Sequence, residues 1–387
     1  MVKKSILYVS NTDWYFQLHW MNRALASIDA GYQVSLVTDF SSDNIRGVFE
    51  KKGIRCFHIP LSRSGINPVG EIVYLIRIYA KVKKIEPDII HSITVKPNIY
   101  AGAVGRILKI PVIKSITGTG LVFSNQSLFF RCVKKIVIQL YRFAGRSESG
   151  AFVFENRDDQ HQFSTLGISE MQPSILIHGS GVDPKKYLFS DNLFRKKKTE
   201  LLFAARLVKD KGLDTLISGL DKVYAKRQDF ALHIAGIYDF FSRNAYRESD
   251  IDLLTKRKYI HWLGKRDDIE KLLSDIDIVV LPTRYGEGIP RILIEAGFSG
   301  RVVVATNVAG CREIIEDHQT GYLLDPGNDE QLAAIVEEIM TNPQQASIYA
   351  HNLYLKVKDD YSDETIISRF LSLYKTLCKG DDVGGIK

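Results

Sequence analysis

The sequence is poor in cysteine, with only Cys56, Cys132, Cys311 and Cys378 in 387 residues. They form no C-x-x-C pair and no His lies near them at metal-ligand spacing. A disulfide framework and a zinc module are therefore excluded, and reduced thiols in a cytosolic protein are expected. No stretch reaches the roughly 18 uncharged apolar residues that a membrane span needs. No secretory leader is expected either: Lys3 and Lys4 resemble its basic start, but the apolar run 5–10 is short and polar Asn11, Thr12 and Asp13 follow. The first apolar run is not followed by G-x-G-x-x-G, and Walker A is absent. These absences argue against a nicotinamide or flavin oxidoreductase and against a P-loop nucleotidase. Repeats and low-complexity segments are missing too.

What is present is ordinary for a soluble globular chain: 45% apolar and 25% charged residues. The length predicts two domains, each able to bury its own core. The net charge of +7 is unevenly spread. Residues 1–190 carry 24 basic and 14 acidic side chains, and the remainder 28 and 31. A basic half suits an anionic membrane, phosphate ligands or nucleic acid, but no nucleic-acid-binding motif accompanies it.

Short Val/Ile-rich runs alternate with helical patterns along the whole chain. The runs are 5–9, 33–37, 54–59, 89–91, 112–114, 150–154 and 174–177, then 201–204, 231–235, 260–263, 276–281, 302–305 and 321–324. They lack clean period-two alternation, so both faces are expected to be buried, as in parallel sheets. Strand–helix alternation in both halves predicts an α/β fold of two doubly wound, Rossmann-like domains facing across a cleft. The boundary is placed within 184–199, a stretch with Pro184 and the basic run Arg195, Lys196, Lys197, Lys198. The domains are then 1–185 and 186–361. The last helix, 362–378, starts after the plausible N-cap Ser362.

Ligands of such sheets bind beyond the carboxyl ends of the strands, so the residues there matter most. In the first domain, His19 is expected to open the first long helix and His91 to end a strand. Gly118, Thr119 and Gly120 follow another strand, where glycines let amides approach an anion. Residues 127–146 read as a helix with Arg131, Lys135, Arg142 and Arg146 within about 60° of one another. That stripe suits either solvent or anionic lipid headgroups.

In the second domain, Arg206 ends a strand and Lys211 starts the next helix. Two cations beside a helix N-terminus suit a diphosphate. Strand 276–281 leads through Glu287, Gly288, Ile289 and Pro290 into a helix that carries Glu295. The helix start suits a phosphate, and the two carboxylates are good acceptors for sugar hydroxyls. Asp275 and Asp277 spell D-x-D, but they enter a strand at the edge away from the expected cleft and are read as structural.

These residues resemble glycosyltransferase family 4, which has the GT-B architecture. The carriers in the second domain are Phe-Ala-Ala-Arg-Leu-Val-Lys-Asp-Lys-Gly-Leu at 203–213, Leu-Pro-Thr-Arg-Tyr-Gly-Glu-Gly-Ile-Pro-Arg-Ile-Leu-Ile-Glu-Ala at 281–296 and Val-Ala-Thr-Asn-Val-Ala-Gly-Cys-Arg-Glu at 304–313. In the first domain, 116–123, 154–159 and 179–183 look like the branch that builds bacterial O-antigens and capsules on a lipid carrier. The resemblance implies a retaining, metal-independent enzyme that needs no cofactor. It would move a sugar, an N-acetylhexosamine first, from a UDP-sugar to a sugar on polyprenyl diphosphate. It further implies that Arg206 and Lys211 hold the diphosphate, Glu287 with the Gly288 and Ile289 amides the donor sugar, Glu295 the ribose, and Gly264, Lys265 and Arg266 the uracil. Gly118 and Thr119 would join the donor side, and His19 and His91 the acceptor side. Trp20 stands where this branch often has Arg after the His. The last helix would cross back to the first domain. The implied location is cytoplasmic, peripheral on the anionic inner face of the inner membrane, with no nucleic-acid partner. The alternatives are a UDP-sugar epimerase of similar fold and a glycosyltransferase with a soluble acceptor.

Overall fold

Val, Ile and Phe fill the strands on both faces. Every residue of Ile89–Ile93, Val112–Ile116, Gly150–Phe154 and Val302–Thr306 is buried. Such strands need helices on both sides of their sheet, which parallel connections supply. The computed structural model describes residues 3–61, 68–119, 122–123, 127–146, 149–179, 181–239, 242, 244–286 and 288–379. It divides into two units, Met1–Gly181 with Asp363–Lys387, and Val182–Ser362.

The first unit has strands β1 (Ser5–Val9), β2 (Gln33–Thr38), β3 (Arg55–His58), β4 (Ile89–Ile93), β5 (Val112–Ile116), β6 (Gly150–Phe154) and β7 (Ser174–Leu176). They lie in the order β3-β2-β1-β4-β5-β6-β7, and every pairing is parallel. The order reverses between β1 and β4. Its helices are α1 (Asp13–His19), α2 (Met21–Asp29), α3 (Asp43–Lys51), α4 (Pro68–Ile85), α5 (Val95–Leu108), α6 (Leu128–Gly145) and α7 (Arg157–Thr165). Ile6 and Tyr8 of β1 point into a core shared with α1, α2 and α3, whereas Leu7 and Val9 point into the opposite core with α4 and α5.

The second unit has β8 (Thr199–Leu207), β9 (Phe230–Tyr238), β10 (Ile260–Gly264), β11 (Ile278–Leu281), β12 (Val302–Thr306) and β13 (Tyr322–Leu324) in the order β10-β9-β8-β11-β12-β13, again all parallel. The reversal falls between β8 and β11. Helices α8 (Leu213–Tyr224), α9 (Glu248–Leu254), α10 (Ile269–Ser274), α11 (Arg291–Ser299), α12 (Cys311–Ile314), α13 (Asp329–Thr341) and α14 (Pro343–Asp360) complete it. The expected α/β class, two doubly wound parallel sheets, is what the chain forms.

The last helix, α15 (Asp363–Lys379), packs on α2 and β4 of the first unit. Its Tyr374 hydroxyl lies 2.9 Å from the Tyr8 hydroxyl and 2.6 Å from His91 Nδ1. The opposite ring nitrogen of His91 meets Ser115 Oγ at 2.8 Å.

Three expectations about local structure need correction. β4 runs two residues past His91, which is fully buried in mid-strand; burial, with Arg23 nearby, holds its imidazole well below the usual range. It therefore packs the core and cannot line an acceptor site. His19 closes the short α1 instead of opening the long helix, because the chain breaks at Trp20, whose 1% exposure marks it as a core anchor. Finally, β8 and β9 are nine residues each, longer than their apolar runs. Ala205 pairs with Gly236 in the extension, where a Cβ on Gly236 would fall 2.5 Å from the Ala205 carbonyl oxygen.

Candidate functional site

In a doubly wound sheet the loops flanking the reversal of strand order diverge and leave room for a ligand. In the second unit these are the loops after β8 and β11. They are stitched together at one point. The Asp210 carbonyl accepts from the Arg284 amide at 2.8 Å and from the Thr283 hydroxyl at 3.2 Å. Arg284 also reaches Asp214 at 2.8 Å. Gly212 makes this approach possible: its φ is +76°, and a Cβ there would lie 1.8 Å from the Pro282 carbonyl oxygen. The loop after β12 joins them, since a Cβ on Gly286 would touch the Ala309 methyl at 3.2 Å.

On this platform stand the two expected cations. Arg206 is the penultimate residue of β8 and donates to Asp239, just beyond β9, at 2.7 Å. Lys211 ends a 3-10 turn, Lys209–Lys211, and is 9% exposed, with its ammonium 5.9 Å from the centre of the Tyr285 ring. The loop after β11 leads into α11. Pro290 is its N-cap, one position ahead of the first turn, and Ile289 is buried at the entry beside Gly288. The first amides of such a helix have no intrahelical acceptors and carry its positive dipole end. Glu287 lies outside the described residues.

Glu295 sits one turn into α11, buried and already held. Its Oε1 accepts from Arg291 Nε at 2.7 Å and from the Tyr187 hydroxyl at 2.8 Å. Burial and the Glu295 carboxylate push the Tyr187 phenol far up, so it stays a donor. Gly264 ends β10 at a register shift with φ of +67° and open space where a Cβ would be. Arg266 beside it is clamped by Asp268 through two 2.7 Å bonds, while Lys265 pairs with Asp267 at 3.3 Å.

Sequence reasoning missed Asp239, because the apolar run of β9 stops three residues short of the strand's end. It also missed Tyr187 and Arg291, whose importance lies only in their reach to Glu295. The D-x-D reading as structural fits what the residues do: Asp277 accepts from the Phe194 and Glu200 amides at 2.7 and 2.9 Å. Among the described residues no group of three or more His, Cys, Asp and Glu is placed to hold a metal.

In the first unit Gly118 has φ of +104°, and the Thr119 hydroxyl bonds to Asp159, whose carboxyl is pushed up to about 6 by burial. Gly120 lies outside the described residues. The His19 ring lies tilted against Tyr15, with the ring centres 4.5 Å apart. The basic stripe of α6 is broken, because Arg142 turns inward and donates at 2.6 and 3.2 Å to the Leu166 carbonyl.

Two sequence profiles match the chain: "Glycosyl transferase 4-like" over residues 5–147 and "Glycosyl transferases group 1" over 185–355. An α-1,3-N-acetylgalactosaminyltransferase of Campylobacter jejuni, named for its N,N'-diacetylbacillosaminyl-diphospho-undecaprenol acceptor, is 25% identical, over 84% of this chain and 87% of that enzyme. An Escherichia coli α-1,3-galactosyltransferase, named for UDP-Gal and α-D-GlcNAc-diphosphoundecaprenol, is 22% identical, over 87% and 86%. Anabaena HepE, solved with UDP and glucose, superposes with a TM-score of 0.78 at 18% identity, covering 96% of this chain and all of that one. The chain is a glycosyltransferase of the GT-B fold. Within that class it is related to the bacterial family 4 enzymes of O-antigen, capsule and lipopolysaccharide synthesis.

Proposed function

We propose that the protein transfers a sugar, first among candidates an N-acetylhexosamine, from a UDP-sugar to a sugar on polyprenyl diphosphate at the cytoplasmic face of the inner membrane. The reaction would retain anomeric configuration and use no metal. The observation that carries this reading is the pair of cations, Arg206 near the end of β8 and Lys211 in the loop after it, a loop stitched at Asp210 to the one that leads from β11 into α11. When the C1–O bond of the donor breaks, its electron pair stays on the diphosphate. The acceptor hydroxyl oxygen bonds to C1, and its proton ends on the departing diphosphate. Fixed positive groups stabilise that growing charge more in the transition state than in the ground state, which is the condition for raising the rate.

Under this reading Glu295 takes the ribose hydroxyls, oriented by Tyr187 and Arg291. Glu287, with the Gly288 and Ile289 amides, takes the donor sugar. Gly264 leaves the open surface on which a uracil would lie beside Lys265 and Arg266, and Gly118 and Thr119 act from the donor side of the first unit. His19 remains the acceptor-side candidate; His91 does not. Support for a lipid-linked acceptor comes from the names of the two transferases above.

A donor screen with a synthetic lipid-diphosphate sugar acceptor, read by mass spectrometry, tests the proposal. One UDP-sugar should yield a product heavier by one sugar residue. Transfer from a different nucleotide, transfer only to soluble sugars, or epimerised donor without transfer would each replace it.

A further inference from the structure

Asp159 is a buried carboxyl that the reaction described above leaves unused. It lies in the first turn of α7 and is only 5% exposed. A buried carboxylate ordinarily keeps a cation beside it. Among the described residues Asp159 has two hydrogen-bond donors instead. The first is Asn156, the N-cap of α7. Its Oδ1 accepts from the Asp159 amide at 2.8 Å, which fixes the orientation of the side chain, so its Nδ2 donates to Asp159 Oδ2 at 3.0 Å. The second is the Thr119 hydroxyl, in the turn after β5. Thr119 is half-buried beside Gly118, within reach of a ligand.

The charge on Asp159 decides what Thr119 can offer that ligand. A carboxylate only accepts, and a hydroxyl has one proton. Thr119 commits that proton inward and presents only lone pairs outward. Phosphate oxygens also only accept, so this hydroxyl is mismatched to a diphosphate and matched to the O–H of a sugar. Protonation of Asp159 inverts the arrangement. Asn156 Nδ2 can only donate, so the new O–H turns to the Thr119 oxygen, and the Thr119 proton points outward. Burial moves the Asp159 carboxyl up to about 6, against the pull of the Asn156 and Thr119 bonds. Asp158 adds repulsion from the same helix. Tyr141 faces it from α6, but burial keeps that phenol neutral and Asn98 of α5 bonds to it.

We propose that the Asp159 carboxylate sets the Thr119 hydroxyl to accept a hydrogen bond from a substrate sugar hydroxyl, Thr119 being a specificity-determining contact and Asp159 its positioning residue. This rests on the sugar transfer proposed above and deepens it: Thr119 meets a sugar, of the donor or of the acceptor, and not the diphosphate. Between pH 3.8 and about 6 the folded chain holds a proton on Asp159 that the unfolded chain lacks. This site therefore favours the fold as pH falls, and turnover lost there is not lost through its unfolding.

The test is the pH profile of transfer from the UDP-sugar to the synthetic lipid-diphosphate acceptor of the donor screen, with UDP binding measured by calorimetry. Wild-type kcat/KM should fall below a midpoint near pH 6, approaching about tenfold per pH unit. Asp159→Asn sets an amide N–H against Thr119 at every pH. It should lose the acidic limb and stay roughly tenfold below the wild type at neutral pH. Thr119→Val should fall by about the same factor, and Thr119→Ser should recover most of the loss. A rise confined to the KM of the UDP-sugar assigns the hydroxyl to the donor sugar, and one confined to the acceptor KM assigns it to the acceptor sugar. UDP lacks the transferred sugar, so its affinity should be unchanged in all three variants. UDP binding weakened about tenfold in Thr119→Val would put Thr119 on the diphosphate, and an unaltered acidic limb in Asp159→Asn would remove Asp159 from its role; either result overturns the proposal. If no UDP-sugar is used at all, the transfer reading fails by itself and the pair is still tested. Carbon-13 NMR of protein labelled at its aspartate carboxyls, with Asp159 assigned by its loss in Asp159→Asn, should show titration near pH 6 in the wild type and at higher pH in Thr119→Val. An unmoved midpoint in Thr119→Val overturns the pairing.

Discussion

Arg206 lies 2.7 Å from Asp239, so its charge is half-committed before any ligand arrives. A diphosphate would compete for the same guanidinium. Arg206→Ala and Lys211→Ala are each expected to lower kcat/KM by roughly 10²-fold, as for other groups that meet transition-state charge. Arg206→Lys should recover little, because an ammonium cannot span two phosphate oxygens as the fork does. Steady-state kinetics on the purified variants checks this, and near-normal turnover in both alanine variants would remove the assignment.

Lys114 is a different residue-scale case. It is fully buried in β5, and burial lowers its ammonium to about 7 from 10.5. A neutral amine has two N–H groups, and two acceptors face it: Gln172 Oε1 at 2.7 Å and the Val112 carbonyl at 3.3 Å. Between about pH 7 and 10.5 the unfolded chain holds a proton here that the folded chain does not, so this site adds stability as pH rises. Denaturant unfolding of wild type and Lys114→Met at pH 7 and pH 9 should show the wild type gaining on the variant by about 1.4 kcal/mol per pH unit. A constant difference between the two proteins would show that Lys114 stays charged in the fold.

At the scale of elements, the loops after β8 and β11 act as one piece because Gly212 lets their backbones touch. Gly212→Ala forces an alanine to φ of +76° and drives its Cβ into the Pro282 carbonyl. The strain alone costs about 1–3 kcal/mol, and relief requires the loops to part. The expected outcome is a lowered melting temperature together with UDP binding weakened at least tenfold, read by thermal unfolding and calorimetry. A variant that melts early but binds UDP normally would show that the seam between the loops does not shape the donor site.

At the scale of the whole molecule, the last 17-residue helix, α15, belongs to the first unit although the second unit separates them in sequence. Tyr374 is the partner that lets Tyr8 and His91 sit in the core. Tyr374→Phe leaves His91 Nδ1 without that partner and should cost about 1–3 kcal/mol, measured by denaturant unfolding. Removing α15 entirely also opens the core around Phe370, Leu373 and Leu377, so the truncated chain should lose the cooperative unfolding of the first unit. Retention of a full-height transition would contradict the packing described here.

The amino-acid order alone determined the class of fold, because a strand buried on both faces must be apolar throughout and such runs are visible without knowing their neighbours. It also marked Arg206 at the end of a strand and Lys211, Gly288 and Ile289 beyond strands, since strand ends are local features. Only the tertiary structure decided the rest. Asp239 meets Arg206 because β9 pairs with β8, and Tyr187 meets Glu295 across more than a hundred residues of chain. His91 looked like an edge residue until Tyr374, 283 positions away, gave it a buried partner. Arg142 belonged to a basic stripe by helical spacing, yet the Leu166 carbonyl turns it inward. In each case the side chain's role depends on a partner distant in sequence, and periodicity carries no information about such partners.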